Sequence, residues 1–294
     1  MTILVTGANG QLGRELRQVS RSSRNRYVFS DVSDVPGLET LRLDVTDADA
    51  VRSAVKDLGA EVIINCAAYT DVNRAESDES GCRLLNAVAP ENLAAAMKET
   101  GGLLVHISTD YVFSGENIGR PFSEDMPCDP LNVYGKTKRE GEAAVIASGC
   151  RSIIIRTSWL YSVYGRNFVK TMLELTSTRA HVDVISDQTG SPTYALDLAE
   201  VIYDILESGK ACGNEGIYHY SNEGVCTWYD FALAIAGFAG HDGCEISPCD
   251  SGMFPSPARR PSYSVLDKSR IRAVFGIQVP HWKDSLKKCL NNLA

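Results

Sequence analysis

The opening thirteen residues constrain this chain more than any other segment. A short apolar run, Ile3-Leu4-Val5, leads straight into Thr6-Gly7-Ala8-Asn9-Gly10-Gln11-Leu12-Gly13. Glycines at this spacing, with a strand before them and a helix starting near Gln11, build a turn whose backbone can lie against a ligand, because no Cβ stands in the way. The helix aims its unpaired N–H groups and the positive end of its dipole at the same place, which suits a pyrophosphate. Gly7, Gly10, Gln11, Leu12 and Gly13 are therefore the first candidate cofactor-binding residues.

The first half keeps the rhythm that such a turn demands. Apolar runs at Tyr27-Val28-Phe29, Leu41-Arg42-Leu43, Val62-Ile63-Ile64, Leu103 to Ile107 and Ile153-Ile154-Ile155 alternate with helical segments such as 48–58 and 91–98. Runs that are apolar at consecutive positions suit strands covered on both faces. The expected fold is α/β: a doubly wound parallel sheet, Rossmann-like, with a smaller C-terminal substrate-binding lobe. After Trp159 the apolar runs shorten and Pro and Gly become frequent. Helices are expected over 195–206, 268–275 and 282–290 and a strand over 217–220. The stretch 244–261, where Pro248, Pro255, Pro257 and Pro261 fall, is not expected to be regular helix. The expected division gives residues 1–157 plus about 191–222 to dinucleotide binding, and about 158–190 plus 223–294 to the substrate lobe.

Ligands of such sheets lie at the carboxyl ends of the strands. Asp31 follows the second strand and is placed to accept from a ribose 2′-hydroxyl, which tilts the cofactor towards NADH; a turn cap is its plain alternative. Arg14, Arg24 and Arg26 are near it in sequence. Asp44 and Val45 would border the adenine, and Ala67, Ala68, Tyr69 and Thr70 follow the fourth strand, where small side chains let a cofactor pass close.

The fifth strand ends in Ser108-Thr109-Asp110-Tyr111, and Tyr134 and Lys138 come later, four residues apart and so on one helical face. Reducing a ketone needs a hydride for carbon and a proton for oxygen. A lysine charge at ~5 Å and an effective dielectric of ~20 would favour a phenolate by about 3 kcal/mol, roughly two pKa units, and so bring a tyrosine nearer to working pH. Thr109 would donate to the same substrate oxygen. A tyrosine and a lysine at this spacing are a weak signal alone; the order of glycine turn, hydroxyl-bearing strand end and Tyr/Lys helix gives it weight.

These residues resemble the extended short-chain dehydrogenase/reductase superfamily and, within it, the dTDP-4-dehydrorhamnose reductases. The resemblance rests on Gly7 to Gly13, Asn65 to Thr70, Ser108 to Phe113, Pro130 to Lys138, Arg156 to Trp159, Asp187 to Thr193, Thr227 to Tyr229 and Pro257 to Pro261, and it spans nearly the whole chain. It implies reduction of a 4-keto nucleotide sugar by NADPH or NADH, with Tyr134 as proton donor, Lys138 its partner and Thr109 the third member. It also implies that Asp110, Tyr111 and Trp159 contact the sugar. Arg259 and Arg260, on a proline-stiffened loop, are candidates for the dTDP diphosphate, since arginine suits bidentate phosphate recognition. Some members of the family are dimers bridged by magnesium held by glutamates. Glu15 could supply one ligand, but Tyr194-Ala195-Leu196-Asp197 lacks a glutamate, so no metal site is expected and the homodimer stays open.

Three rivals remain at this point: a GDP-4-keto sugar reductase, a nucleotide-sugar 4,6-dehydratase, and a non-catalytic subunit resembling the β subunit of methionine adenosyltransferase. Dehydratases resemble Thr-Asp-Glu where this chain has Thr109-Asp110-Tyr111, and the missing glutamate favours simple reduction. The formal net charge of −8 argues against nucleic acid and anionic membranes as partners. Nine cysteines without a C-x-x-C pair read as reduced thiols. No apolar stretch approaches the ~18 residues of a membrane span, and a cytoplasmic protein is expected.

Overall fold

The computed structural model describes residues 1–116 and 118–293. Its centre is a seven-stranded sheet. Six of the strands are β1 (Thr2–Thr6), β2 (Arg26–Asp31), β3 (Leu41–Arg42), β4 (Val62–Asn65), β5 (Leu103–Thr109) and β6 (Arg151–Thr157); the seventh is Gly216–His219. Their order is Gly216–His219, β6, β5, β4, β1, β2, β3, and every pairing is parallel. The order reverses between β1 and β4, which opens a crevice at the carboxyl ends of those two strands.

The consecutive apolar residues are explained by two covered faces. Ile3, Val5, Ile64, Val105, Ile153 and Ile155 pack with Leu16 and with Leu198, Ile202 and Ile205 of the helix Ala195–Glu207. Leu4, Ile63, Leu104 and Ile154 point the other way, onto Val51 and Val55 of the helix Ala48–Leu58 and onto Leu93 and Met97 of the helix Ala89–Thr100. Helix Ala48–Leu58 starts where Asp47 accepts from the Asp49 and Ala50 amides and stops at left-handed Gly59.

A separate apolar cluster joins Tyr161, Val169, Met172, Val184, Phe231 and Trp282, drawn from the later chain. Against it lies a pair of parallel strands, His181–Ile185 and Glu245–Cys249. The second of these falls in the proline-bearing stretch 244–261, which forms no regular α-helix. Pro248 lacks an N–H, but a two-stranded unit has edges on which that loss is tolerated. Among the described residues no helix is long and apolar enough to cross a membrane.

Candidate active site

The crevice is a cleft of about 700 Å³. Its floor is the glycine turn. Gly7 takes a left-handed φ of 65°, and a Cβ there would sit 2.4 Å from the Ala67 nitrogen. The helix Gln11–Val19 begins at Gly10 without a side-chain cap, beside the cleft that Gly10, Gln11 and Leu12 line, so its first N–H groups suit phosphate oxygens. Asp31, Asp44, Val45, Ala67, Ala68 and Thr70 complete this end of the cleft. Asp31 accepts from the Asn9 amide at 3.1 Å and the Ser33 amide at 3.0 Å. It therefore braces the turn while it faces the cleft. The space, the open helix end and a carboxylate at the ribose position fit a dinucleotide.

Two expected cofactor residues are elsewhere. Gly13 does not line the cleft; a Cβ on it would meet Ala8 at 2.5 Å, so it lets the helix pack onto the turn. Tyr69 is also absent from the walls: Asn86 Oδ1 accepts from its amide at 2.8 Å, and its hydroxyl donates to Asp78 at 3.1 Å. Arg14 stacks on the Tyr164 ring at 4.1 Å, and neither it nor Arg24 nor Arg26 lines the cleft. Arg166, from the far side, does. Local sequence carries no signal for Arg166, and Trp228, a second missed wall residue, stands in the Thr227 to Tyr229 segment of the resemblance without an assigned role, because only folding of the later chain brings them in.

At the other end, Thr109, Asp110, Tyr111, Tyr134, Lys138 and Trp159 meet. Tyr134 and Lys138 ride on the helix Val133–Ala147, which starts where Asn132 accepts from the Gly135 amide at 2.8 Å. Tyr111 meets the Tyr134 ring edge-on at 5.7 Å. Thr109 Oγ1 donates to Asp110 Oδ1 at 3.0 Å, whereas Asp110 Oδ2 is buried without a hydrogen-bond partner. Burial pushes the Asp110 carboxyl up to about 7.

The electrostatics of the pair correct one expectation. Burial pushes the Tyr134 phenol up from its ordinary value, and the Thr109 hydroxyl is the main influence pulling it down. Lys138 does not lower it below that value as the charge argument expects. The lysine is buried, donates to the Ile107 carbonyl at 2.6 Å and is itself brought down to about 8 by burial. At the phenol, desolvation outweighs the Thr109 hydrogen bond. The phenol consequently stays protonated through neutral pH, the state a proton donor needs. Since the charged lysine is the state that accommodates a phenolate after proton transfer, kcat/KM is expected to fall as pH rises through about 8, where Lys138 loses its proton. A pH–rate profile level to pH 10 would contradict that role.

Trp159 is the one non-glycine among the described residues in the left-handed region, at φ 47°, a conformation costing about 1–2 kcal/mol. Arg260 lies between two spaces. It lines the cleft, donates to the Tyr111 hydroxyl at 3.3 Å and to Asn73 Oδ1 at 3.2 Å, and also lines a second cavity of about 850 Å³. Arg259 reaches only that second cavity, whose walls include Phe168, Met172, Val184 and Phe254. Glu15 accepts from Ser162 Oγ at 2.6 Å, and among the described residues no cluster of three or more His, Cys, Asp or Glu could hold a metal ion.

The family model described as RmlD substrate binding domain matches residues 1–294. The chain belongs to that family. A crystal structure of a dTDP-4-dehydrorhamnose reductase from Clostridium acetobutylicum superposes with a TM-score of 0.92 at 41% identity, covering 100% of this chain and 99% of that one. The dTDP-4-dehydrorhamnose reductase of Bacillus anthracis, solved in complex with NADP, gives 0.89 at 35% identity and 99% coverage of both chains. The probable dTDP-4,6-dihydroxy-2-methyloxan-3-one 4-ketoreductase of Streptomyces antibioticus is 40% identical over 100% of this chain and 96% of its own length.

Proposed function

We propose that this chain reduces the 4-keto group of dTDP-4-dehydro-L-rhamnose to give dTDP-L-rhamnose, as a step of dTDP-rhamnose biosynthesis. The observation that carries the reading is the convergence of Thr109, Tyr134 and Lys138 at one end of a cleft whose other end is the open glycine turn. Gly7, Gly10, Gln11, Leu12, Asp31, Asp44, Val45, Ala67, Ala68 and Thr70 would hold NADPH or NADH. Bound there, the reduced nicotinamide supplies the hydride. Thr109 holds the ketone oxygen, Tyr134 hands its phenolic proton to that oxygen, and Lys138 accommodates the phenolate left behind.

The unpartnered Asp110 Oδ2 would take a sugar hydroxyl. Trp159 would wall the sugar ring. Arg260, shared by the two spaces, would grip the diphosphate, with Arg259 beside it in the cavity that receives the nucleoside. Residues 158–190 and 223–294 form the substrate side in this proposal.

Purified protein is expected to oxidise NADPH or NADH, followed by nicotinamide absorbance, when given a dTDP-4-keto-6-deoxy sugar. A GDP-4-keto sugar should support far slower oxidation. Faster turnover of the GDP sugar would move the assignment to that reductase. Release of water from a dTDP-4-hydroxy sugar without net cofactor use would mark a dehydratase, and no turnover of any sugar would favour a binding subunit.

A further inference from the structure

We infer that Trp228 is a positioning residue for the sugar site: it sets the plane of the Trp159 indole and so the wall on which the sugar ring rests. The inference rests on the reading of Trp159 as a sugar contact.

The two indoles lie face to face, with centroids 3.6 Å apart and planes 7° from parallel. That is closer and more eclipsed than the offset or edge-on arrangements, roughly 4.5–7 Å apart, that aromatic pairs prefer. The surroundings must therefore impose it. On the Trp159 side, its carbonyl accepts from the Thr193 amide at 3.2 Å, and the neighbouring Ser158 Oγ donates to the Ser191 carbonyl at 2.7 Å. These contacts hold the unusual backbone turn. On the Trp228 side, the residue is the first of the helix Trp228–Ala239, fixed by a reciprocal cap between Thr227 and Asp230. Phe168 packs against it at 4.6 Å.

Gly190 completes the frame. A Cβ at that position would sit 2.6 Å from Trp159 Cε2 and 2.7 Å from Cζ2, so the indole fits only because that atom is absent. Trp159 thus has an α-carbon and an indole packed against it, which restrict its side-chain torsions. Trp228, like Arg260, lines both the cleft and the second cavity. A ligand spanning the two spaces passes the Trp228 stack on its way to Tyr134.

The chain has three tryptophans, which makes the pair visible in solution. Stacked indoles couple their transitions and give an exciton couplet in far-ultraviolet circular dichroism. Wild type should show the couplet. Trp228→Phe and Trp228→Ala should abolish it, Trp282→Phe should keep it, and Gly190→Ala should weaken it with both rings present. In Trp228→Ala the dissociation constant of dTDP-rhamnose, by calorimetry, should rise about tenfold, the size of one aromatic contact. Trp228→Phe should recover most of that loss, and NADPH affinity should not change in either variant.

A wild-type spectrum without the couplet overturns the inference, as does a couplet lost in Trp228→Ala with unchanged dTDP-rhamnose affinity. Equal weakening of NADPH overturns it too, because that marks a general collapse of the cleft. If Trp228→Ala does not fold, Gly190→Ala carries the decision: a weakened couplet with unchanged dTDP-rhamnose affinity overturns the inference. Because binding is the readout, retained dTDP-rhamnose affinity with no turnover by wild type would sink the reductase reading and leave this test standing.

Discussion

Tyr134→Phe should cut turnover by about 10²–10⁴ while NADPH binds as before. The substitution removes one hydroxyl and keeps the ring that meets Tyr111 edge-on at 5.7 Å, so the cleft keeps its shape. What goes is the donor for the proton that the ketone oxygen must receive. Burial holds that phenol in its protonated form, and Thr109 offers a hydrogen bond beside it. Water is a poor substitute, since it is neither positioned nor tied to the Lys138 charge that settles the resulting anion. The measurement is kcat with a dTDP-4-keto sugar beside an NADPH fluorescence titration. A variant as fast as wild type would remove Tyr134 from the chemistry; one that loses NADPH as well would make it a cofactor contact instead.

The sequence reached different depths for different parts of this site. The glycine turn and the strands were legible because their causes are local: a positive φ at Gly7, and consecutive apolar residues that only a sheet covered on both faces can bury. Tyr134 and Lys138 were legible because a spacing of four is a statement about one helix. Their electrostatics were not. Whether an ammonium lowers a phenol depends on how dry both groups are, and burial is set by β5 and the packing behind it, which no spacing encodes. Trp228 and Arg166 escaped for a related reason, since each enters the cleft through the fold of the later chain. The strand Glu245–Cys249 was hidden by Pro248 and by a partner more than sixty residues away in sequence, His181–Ile185. Gly13 and Tyr69 mark the opposite limit: a motif names a stretch of chain, and some of its residues serve the packing around the cleft.

Glu142→Ala is expected to cost about 3–5 kcal/mol of stability, read as a lowered urea midpoint, because it strands a buried guanidinium. Glu142 is 0% exposed and Arg156 1%, and two bonds of 2.8 Å join them through Nε and one terminal nitrogen. Burial pushes the Glu142 carboxyl up, but Arg156 and the hydroxyl of Ser108, at 2.6 Å, outweigh it and hold the group below its usual range. A carboxylate depressed in the folded state stabilises fully above its unfolded value of ~4.3 and loses that contribution as pH falls through the folded one. The gap between wild type and variant should therefore be full at neutral pH and close below about pH 4. Exchanging both partners, as Glu142→Leu with Arg156→Met, should regain much of the loss, since a buried ion pair and an apolar pair of similar volume often balance. Recovery would stay incomplete: Ser108 loses its acceptor, and the neutral His219, whose Nδ1 donates to the Phe122 carbonyl, loses the Arg156 donor at 3.3 Å. The pair also matters to the chemistry. Glu142 follows Lys138 by one turn on the helix that carries Tyr134, and Ser108 precedes Thr109, so this network locks the proton donor's helix to the strand that holds the ketone. A Glu142→Ala protein with an unchanged urea midpoint at pH 7 would show that Arg156 finds its compensation elsewhere and that the helix is held by other contacts.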